Sequence, residues 1–117
     1  MGYYDEYVGK RIKENYEDIA IPILSKGKAE FNSTDDWEID VILLDREFEE
    51  YGETFQLTCH LIISLDDGII TDVSFESRVW GGDGLGDVNP DEICTSTEMK
   101  RMGRTEEALL KAITEDA

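Results

Sequence analysis

Basic residues are almost absent from the middle of this 117-residue chain. Residues 29 to 99 contain 19 acidic side chains and only two basic ones, Arg46 and Arg78, which accounts for the whole net charge of −17. The segments on either side balance acids against bases. A field of one sign repels nucleic acid and anionic lipid and attracts cationic surfaces. We therefore expect a partner with a cationic surface, and neither direct nucleic acid binding nor membrane binding.

Long apolar runs are also missing. No stretch approaches the roughly 20 apolar residues that span a bilayer, and the start lacks the basic and apolar regions of a secretory signal. These absences predict a cytoplasmic protein whose two cysteines, Cys59 and Cys94, are reduced thiols. Pairing of the cysteines in an oxidising compartment stays open.

Histidine occurs once, as His60. It follows Cys59 on a predicted strand, so the two side chains point to opposite faces and do not act together as base and nucleophile. No other serine or cysteine stands in a recognisable pattern with it. We predict that the protein is not an enzyme and uses no cofactor, that Cys59 is a core residue, and that His60 is exposed.

The apolar residues that are present are clustered and periodic, which is typical of a folded chain. With 40% hydrophobic residues, the chain is large enough for one core. We find no linker and no internal repeat, and predict a single domain over residues 1–117. The sequence leaves open whether that domain is a monomer or a homodimer.

An amphipathic helix is predicted over residues 3 to 18. Its apolar stripe follows spacings of three and four residues and consists of Tyr4, Val8, Ile12, Tyr16 and Ile19. Pro22 argues against continuation of this helix beyond about residue 20. Two alternatives stay open for residues 19 to 24, a last bent turn or a short edge strand.

Four strands are predicted in the middle of the chain. A short strand over residues 26 to 31 and a turn over residues 32 to 36 precede a period of two that begins at Trp37. The next two runs, residues 55 to 65 and 69 to 79, are separated by the turn signal Asp-Asp-Gly. These runs predict an antiparallel meander.

Helical signals return towards the end of the chain. A flexible loop is predicted over residues 81 to 87, a capping box at Thr95 to Glu98, and a helix over the last 10 to 15 residues. The chain is therefore predicted to be α+β, a two-layer domain with an N-terminal helix, a four-stranded antiparallel meander and a C-terminal helix. The helices are expected on the apolar face of the sheet, with the acidic face in solvent.

Carboxylates two residues apart on a strand point the same way and lie about 6.6 Å apart. Pairs such as Glu38 and Asp40 are therefore expected to form ordered rows. The net charge equals that of about 9 base pairs of duplex DNA, at about one charge per 1.7 Å. The predicted contact surface for a basic partner is Asp35, Asp36, Glu38, Asp40, Glu47, Glu49, Glu50, Asp72 and Glu76.

A partial calcium motif follows the glycine-rich stretch. Asp87, Asn89, Asp91 and Glu98 fall on ligand positions of an EF-hand loop. Glu92 stands where that loop needs glycine for its sharp turn. We predict no dedicated metal site, while a calcium-responsive binding module stays open as an alternative.

The two tryptophans are predicted to be core residues. Trp37 lies at the start of a predicted strand, and Trp80 lies at the end of another, beside the glycine-rich stretch. The alternative for Trp80 is a hydrophobic anchor at an interface.

In size, acidity and charge layout the whole chain resembles the DNA-mimic proteins of bacteria and phages. The resemblance rests on no sequence motif and transfers no functional residue. It implies a stoichiometric competitor of DNA that binds the basic surface of a histone-like HU protein, a repressor, a restriction enzyme or a CRISPR nuclease. The alternative is an immunity protein that masks the basic cleft of a nuclease toxin through a more specific, aromatic-anchored interface.

Overall fold

The structure is a computed structural model that describes residues 4–81 and 90–115, without the side chains of residues 90 and 91. The strands form one antiparallel sheet in the order β1-β2-β3-β4. A helix, a four-stranded meander and a helix in two layers confirm the predicted α+β fold. The elements are a 3₁₀ turn, Asp5–Tyr7; α1, Tyr16–Lys26; β1, Glu30–Asp35; β2, Glu38–Glu50; β3, Glu53–Asp66; β4, Ile69–Trp80; α2, Pro90–Ile93; and α3, Ser96–Ile113.

The N-terminal helix lies further along the chain than the sequence predicts. α1 begins at Tyr16 and continues through Pro22 to Lys26, so the helix predicted over residues 3 to 18 and its predicted end near residue 20 are both wrong. Proline removes one backbone donor inside the helix. The burial of Ala20 and Leu24 in the core compensates, because tertiary packing supplies most of the stability of a short helix.

Residues 9 to 12 form an extended segment that pairs with the start of β4. The Gly9 N–H donates to the Ile70 carbonyl at 2.7 Å, and the Ile70 N–H donates to the Lys10 carbonyl at 2.9 Å. Gly9 has a φ of 92°, in the left-handed region that favours glycine. Ile12, which belongs to the apolar stripe of the predicted helix, is therefore buried in the core from an extended segment.

Two tight turns set the register of the long strands. The central residues of each turn have positive φ: Tyr51 and Gly52 between β2 and β3, and Asp67 and Gly68 between β3 and β4. Two-residue hairpin turns that match the twist of the strands require this combination. The turn predicted before β4 is confirmed.

The first strand and its turn differ from the prediction. β1 covers residues 30 to 35, so the predicted strand over residues 26 to 31 is placed too early. Residues 32 to 35 were predicted as a turn and are paired with β2. Their side chains favour turns only as a local preference, which pairing with a longer strand overrides.

α3 is one continuous helix. The Thr95 hydroxyl accepts from the Glu98 N–H at 3.1 Å, and the Glu98 carboxylate accepts from the Thr95 N–H at 2.9 Å, so the predicted capping box is confirmed. The predicted loop over residues 81 to 87 lies outside the described residues apart from Gly81. Within the described ranges, no helix is long and apolar enough to cross a membrane.

The core lies between the helices and one face of the sheet. Both cysteines belong to it and are not joined in a disulfide, and the predicted core position of Cys59 is confirmed. Burial raises the pKa of the Cys59 thiol to about 12, with a smaller contribution from the neighbouring Cys94. The largest fully buried side chains of the core are Ile39, Leu43, Leu57, Leu61, Ile63, Ile70, Met102, Leu109, Leu110 and Ile113.

A β-bulge in β2 determines which side chains point away from the helices. Ile42 pairs with His60 and Leu44 pairs with Cys59, so Leu43 is an extra residue. The bulge reverses the alternation, and carboxylates from both halves of β2 therefore share the face opposite the core. We call this face the outer face. Its charged, aromatic and buried members are Glu30, Asp35, Glu38, Asp40, Asp45, Glu47, Glu49, Thr58, His60, Ile62, Asp72, Glu76, Arg78 and Trp80.

One buried carboxyl group lies in the helical layer. Glu106 is 6% exposed and accepts a hydrogen bond from the Tyr4 hydroxyl. Burial raises the pKa of Glu106, because the charged form loses its hydration. The folded state therefore binds this proton more tightly than the unfolded chain, and stability falls as pH rises from the ordinary carboxyl pKa of about 4.3 through the raised pKa of the folded state.

Glu106→Gln is expected to stabilise the protein at neutral pH. The amide keeps a hydrogen-bond partner for Tyr4 and removes the cost of burying a charge. We expect the melting temperature to rise by about 4 °C, roughly 1 kcal/mol, and the difference to disappear below about pH 4. The matched control is Glu107→Gln: Glu107 is the exposed neighbour, whose charge makes a smaller contribution to the raised pKa of Glu106, so only a smaller rise is expected. An equal rise in both variants would contradict the assignment of the cost to Glu106.

Candidate functional site

The outer face carries nine carboxylates and one arginine. Seven of the carboxylates are exposed, Glu38 is half-buried and Asp40 is buried. The predicted contact residues that the structure brings together here are Asp35, Glu38, Asp40, Glu47, Glu49, Asp72 and Glu76.

Four acidic positions differ from the predicted surface. Asp36 lies in the turn between β1 and β2, at the rim. Glu50 follows Glu49 on β2, so its side chain points away from the outer face. Glu30 and Asp45 belong to the outer face and were missed. Strict alternation from Glu38 would place Asp45, with Glu47 and Glu49, on the opposite face, and only the bulge brings these three onto the face of Glu38.

The carboxylates are spaced by the sheet itself. Along β2, residues Glu38 to Glu49 span about 35 Å, with about 6.6 Å between alternate residues. Neighbouring strands lie about 4.8 Å apart. The result is a regular field of negative charge held on backbone that is hydrogen-bonded on at least one side of every strand.

The two bases of the middle region do little to cancel this field. Arg78 lies on the outer face, and its Nη2 lies 3.1 Å from the Glu76 carboxylate. This pair is solvent-exposed, so it contributes less than about 1 kcal/mol. Arg46 points to the opposite face, where it pairs with Glu98 at 3.0 Å and donates to the Ile93 carbonyl.

His60 belongs to the outer face but is buried, at 3% exposure. The prediction of an exposed histidine is therefore wrong. Its Nδ1 lies 2.8 Å from the Asp40 carboxylate, and its Nε2 lies 3.0 Å from the Thr58 hydroxyl. The Asn32 amide donates to the other oxygen of Asp40 at 2.9 Å. Asp40 is therefore committed to protein groups and, although it belongs to the outer face, is not available to a partner.

Asp40, His60 and Thr58 have the order of bonds found in hydrolytic triads. Thr58 is 8% exposed, and it lies in the middle of β3, which is paired on both sides. The backbone N–H groups around it therefore belong to the sheet, and within the described residues they form no oxyanion hole. The network of Asp40, His60 and Thr58 is explained by the need of each buried polar group for a hydrogen-bond partner.

Both tryptophans are exposed, Trp37 at 62% and Trp80 at 57%, so their predicted core positions are wrong. Trp37 lies in the turn between β1 and β2. Trp80 lies on the outer face, in a row with Gln56 and Glu47 across the strands. Gln56 in turn donates to Asp45 at 2.6 Å. An exposed aromatic ring beside fixed carboxylates is typical of an anchor for a cationic partner.

Only Glu98 of the four candidate calcium ligands is fully described. Its carboxylate caps α3 and pairs with Arg46. Asp87 and Asn89 lie outside the described residues, as does the side chain of Asp91. Among the residues that the structure describes, no group of three or more His, Cys, Asp or Glu side chains has an arrangement suited to a metal ion.

The chain matches no protein-family model, no curated protein and no solved structure. The outer face is therefore interpreted from its own residues and their chemistry.

Proposed function

We propose that this protein is a DNA mimic, which binds the DNA-binding surface of a basic protein and competes with DNA for it. The observation that carries the proposal is the gathering of nine carboxylates and one arginine on the outer face. The net charge of −17 supplies the long-range field that draws a cationic partner.

The charge density of the outer face supports a comparison with duplex DNA. A duplex as long as this row, about 35 Å, carries about 21 phosphates, of which roughly half face any one side. Eight of the nine carboxylates of the outer face are available to a partner, since Asp40 is buried, and eight is close to that number. Because the sheet already fixes the backbone that carries them, binding does not require the backbone to become ordered.

The class of partner follows from the basic surface that a protein must have to bind the outer face. A histone-like HU protein, a repressor, a restriction enzyme or a CRISPR nuclease presents a basic groove that accepts DNA. This proposal places the protein in the cytoplasm, where such partners act, and requires no cofactor and no catalytic step. Association is expected to be fast and strongly weakened by salt.

Trp80 favours a second candidate, an immunity protein that neutralises a nuclease toxin. An exposed tryptophan on the outer face provides a specific anchor that phosphate mimicry does not need. An interface of that kind combines steering by charge with one desolvated aromatic contact. Duplex DNA is expected to compete poorly with it.

Capture of partners from a bacterial lysate on the immobilised protein separates the two candidates. For a DNA mimic, short duplex DNA is expected to release a basic DNA-binding protein at a salt concentration that alone releases none. For an immunity protein, one partner is expected to stay bound against DNA, and Trp80→Ala is expected to release it. A column that retains no basic protein would contradict both candidates.

A further inference from the structure

The helical layer holds a groove whose charge is opposite to that of the protein. It lies between α1 and α3 and has a volume of about 510 Å³. Three cationic side chains line it, Lys26, Arg101 and Arg104, and no carboxylate does. Ile23 and Ala108 form the apolar part of its wall. The volume is in the range of pockets for small molecules.

These three cations have no ion-pair partner in the part of the chain that the structure describes. That is unexpected in a protein with 28 acidic residues. The Nε of Arg101 is buried and has no hydrogen-bond partner within the described residues. A buried donor without a partner is costly in free energy.

A position at the end of a helix explains the presence of only one of the three cationic side chains. Lys26 is the last residue of α1, where the partial negative charge of the helix end favours a cation. Arg101 and Arg104 lie in the interior of α3, far from its C-terminal end. Their spacing of three residues places them side by side on one helix face, in a row that has Glu98 before them and Glu107 after them.

We propose that this groove binds the phosphate group of a small soluble molecule. Guanidinium groups match the geometry of phosphate oxygens, and a phosphate in the groove would accept hydrogen bonds from the terminal nitrogens of Arg101 and Arg104, which both line it. The apolar wall suits a compact organic remainder of the ligand. The field of the outer face does not prevent this, because physiological salt screens charges over about 8 Å.

Isothermal titration of the full chain with inorganic pyrophosphate, at constant ionic strength, tests this proposal. We expect one saturable site per chain and weaker binding of inorganic phosphate at the same site. Arg101→Gln and Arg104→Gln are each expected to raise the dissociation constant about tenfold or more, because each removes a charged hydrogen bond.

The matched control is Lys100→Gln, which makes the same change in net charge at an exposed position of α3 outside the groove. It is expected to change the dissociation constant less than about twofold. Absence of saturable binding, or an equal loss in Lys100→Gln, would overturn the proposal. Circular dichroism checks that each variant is folded, and Arg104 is exposed, so its replacement leaves the core intact. Capture of a basic partner by the outer face is expected to be unchanged in Arg104→Gln, so the two proposals fail independently.

Discussion

Glu47→Lys combined with Glu49→Lys is expected to weaken binding of the basic partner about 100-fold. Both carboxylates are exposed on the outer face, in the half of β2 that follows the bulge. Reversal places two cations where the partner's own cations must approach. Neither side chain is buried, so the domain is expected to keep its melting temperature within about 2 °C.

The control for this experiment reverses two exposed acids of the helical layer, Asp18 on α1 and Glu107 on α3. Asp18→Lys with Glu107→Lys changes the net charge by the same amount. We expect it to weaken binding less than about fivefold, through the long-range field alone. Equal losses in both double variants, measured by surface plasmon resonance, would mean that net charge decides binding and that the outer face has no special role.

Asp40→Ala is expected to destabilise the domain by about 3 kcal/mol, because it leaves the His60 ring and the Asn32 amide without their buried acceptor. For a domain of this size the melting temperature falls by about 12 °C. Asn32 and His60 lie on the strands either side of β2, so the loss affects three of the four strands at once. Thermal unfolding followed by circular dichroism measures it.

Glu49→Ala provides the comparison for Asp40→Ala, since Glu49 lies on the same strand and the same face but is exposed. Its expected cost is below about 0.5 kcal/mol. A small effect of Asp40→Ala, comparable to that of Glu49→Ala, would contradict the assignment of Asp40 to a structural network. Asp40 would then again be a candidate contact residue for the partner.

The long strands β3 and β4 were predictable from the sequence because their signal is local. Alternation of apolar and polar residues identifies β3 and β4, and glycine at Gly52 and Gly68 allows the positive φ that the hairpins need. The capping box of α3 is equally local. These features depend on neighbours within a few residues, and the structure has them where the pattern indicates.

The N-terminal helix was misplaced because its alternative is not local. The spacing of apolar residues before Tyr16 satisfies a helix, but Gly9 and Lys10 pair with Ile70, about 60 residues away. The stability of that pairing does not appear in any short window of sequence. The prediction that the helix ends before Pro22 was wrong for the same reason. The packing of α1 in the core offsets the local cost of a proline inside a helix.

The outer face was only partly predictable. Rows of carboxylates follow from alternation, but the bulge at Leu43, which brings Asp45, Glu47 and Glu49 onto the face of Glu38, has no signature in the apolar pattern. The burial of His60 was missed because its partner Asp40 comes from another strand. Charge composition locates the surface in the chain, and the register of the sheet decides which charges share it.

Displacement of DNA from a captured basic partner tests the central claim most directly. A labelled duplex bound to that partner is titrated with this protein, and fluorescence anisotropy reports the released DNA. We predict complete release at about one protein per DNA site, with an apparent affinity that falls steeply as salt increases. The variant with Glu47→Lys and Glu49→Lys is expected to release little DNA. A ternary complex that keeps the duplex bound at saturating protein would contradict DNA mimicry by the outer face.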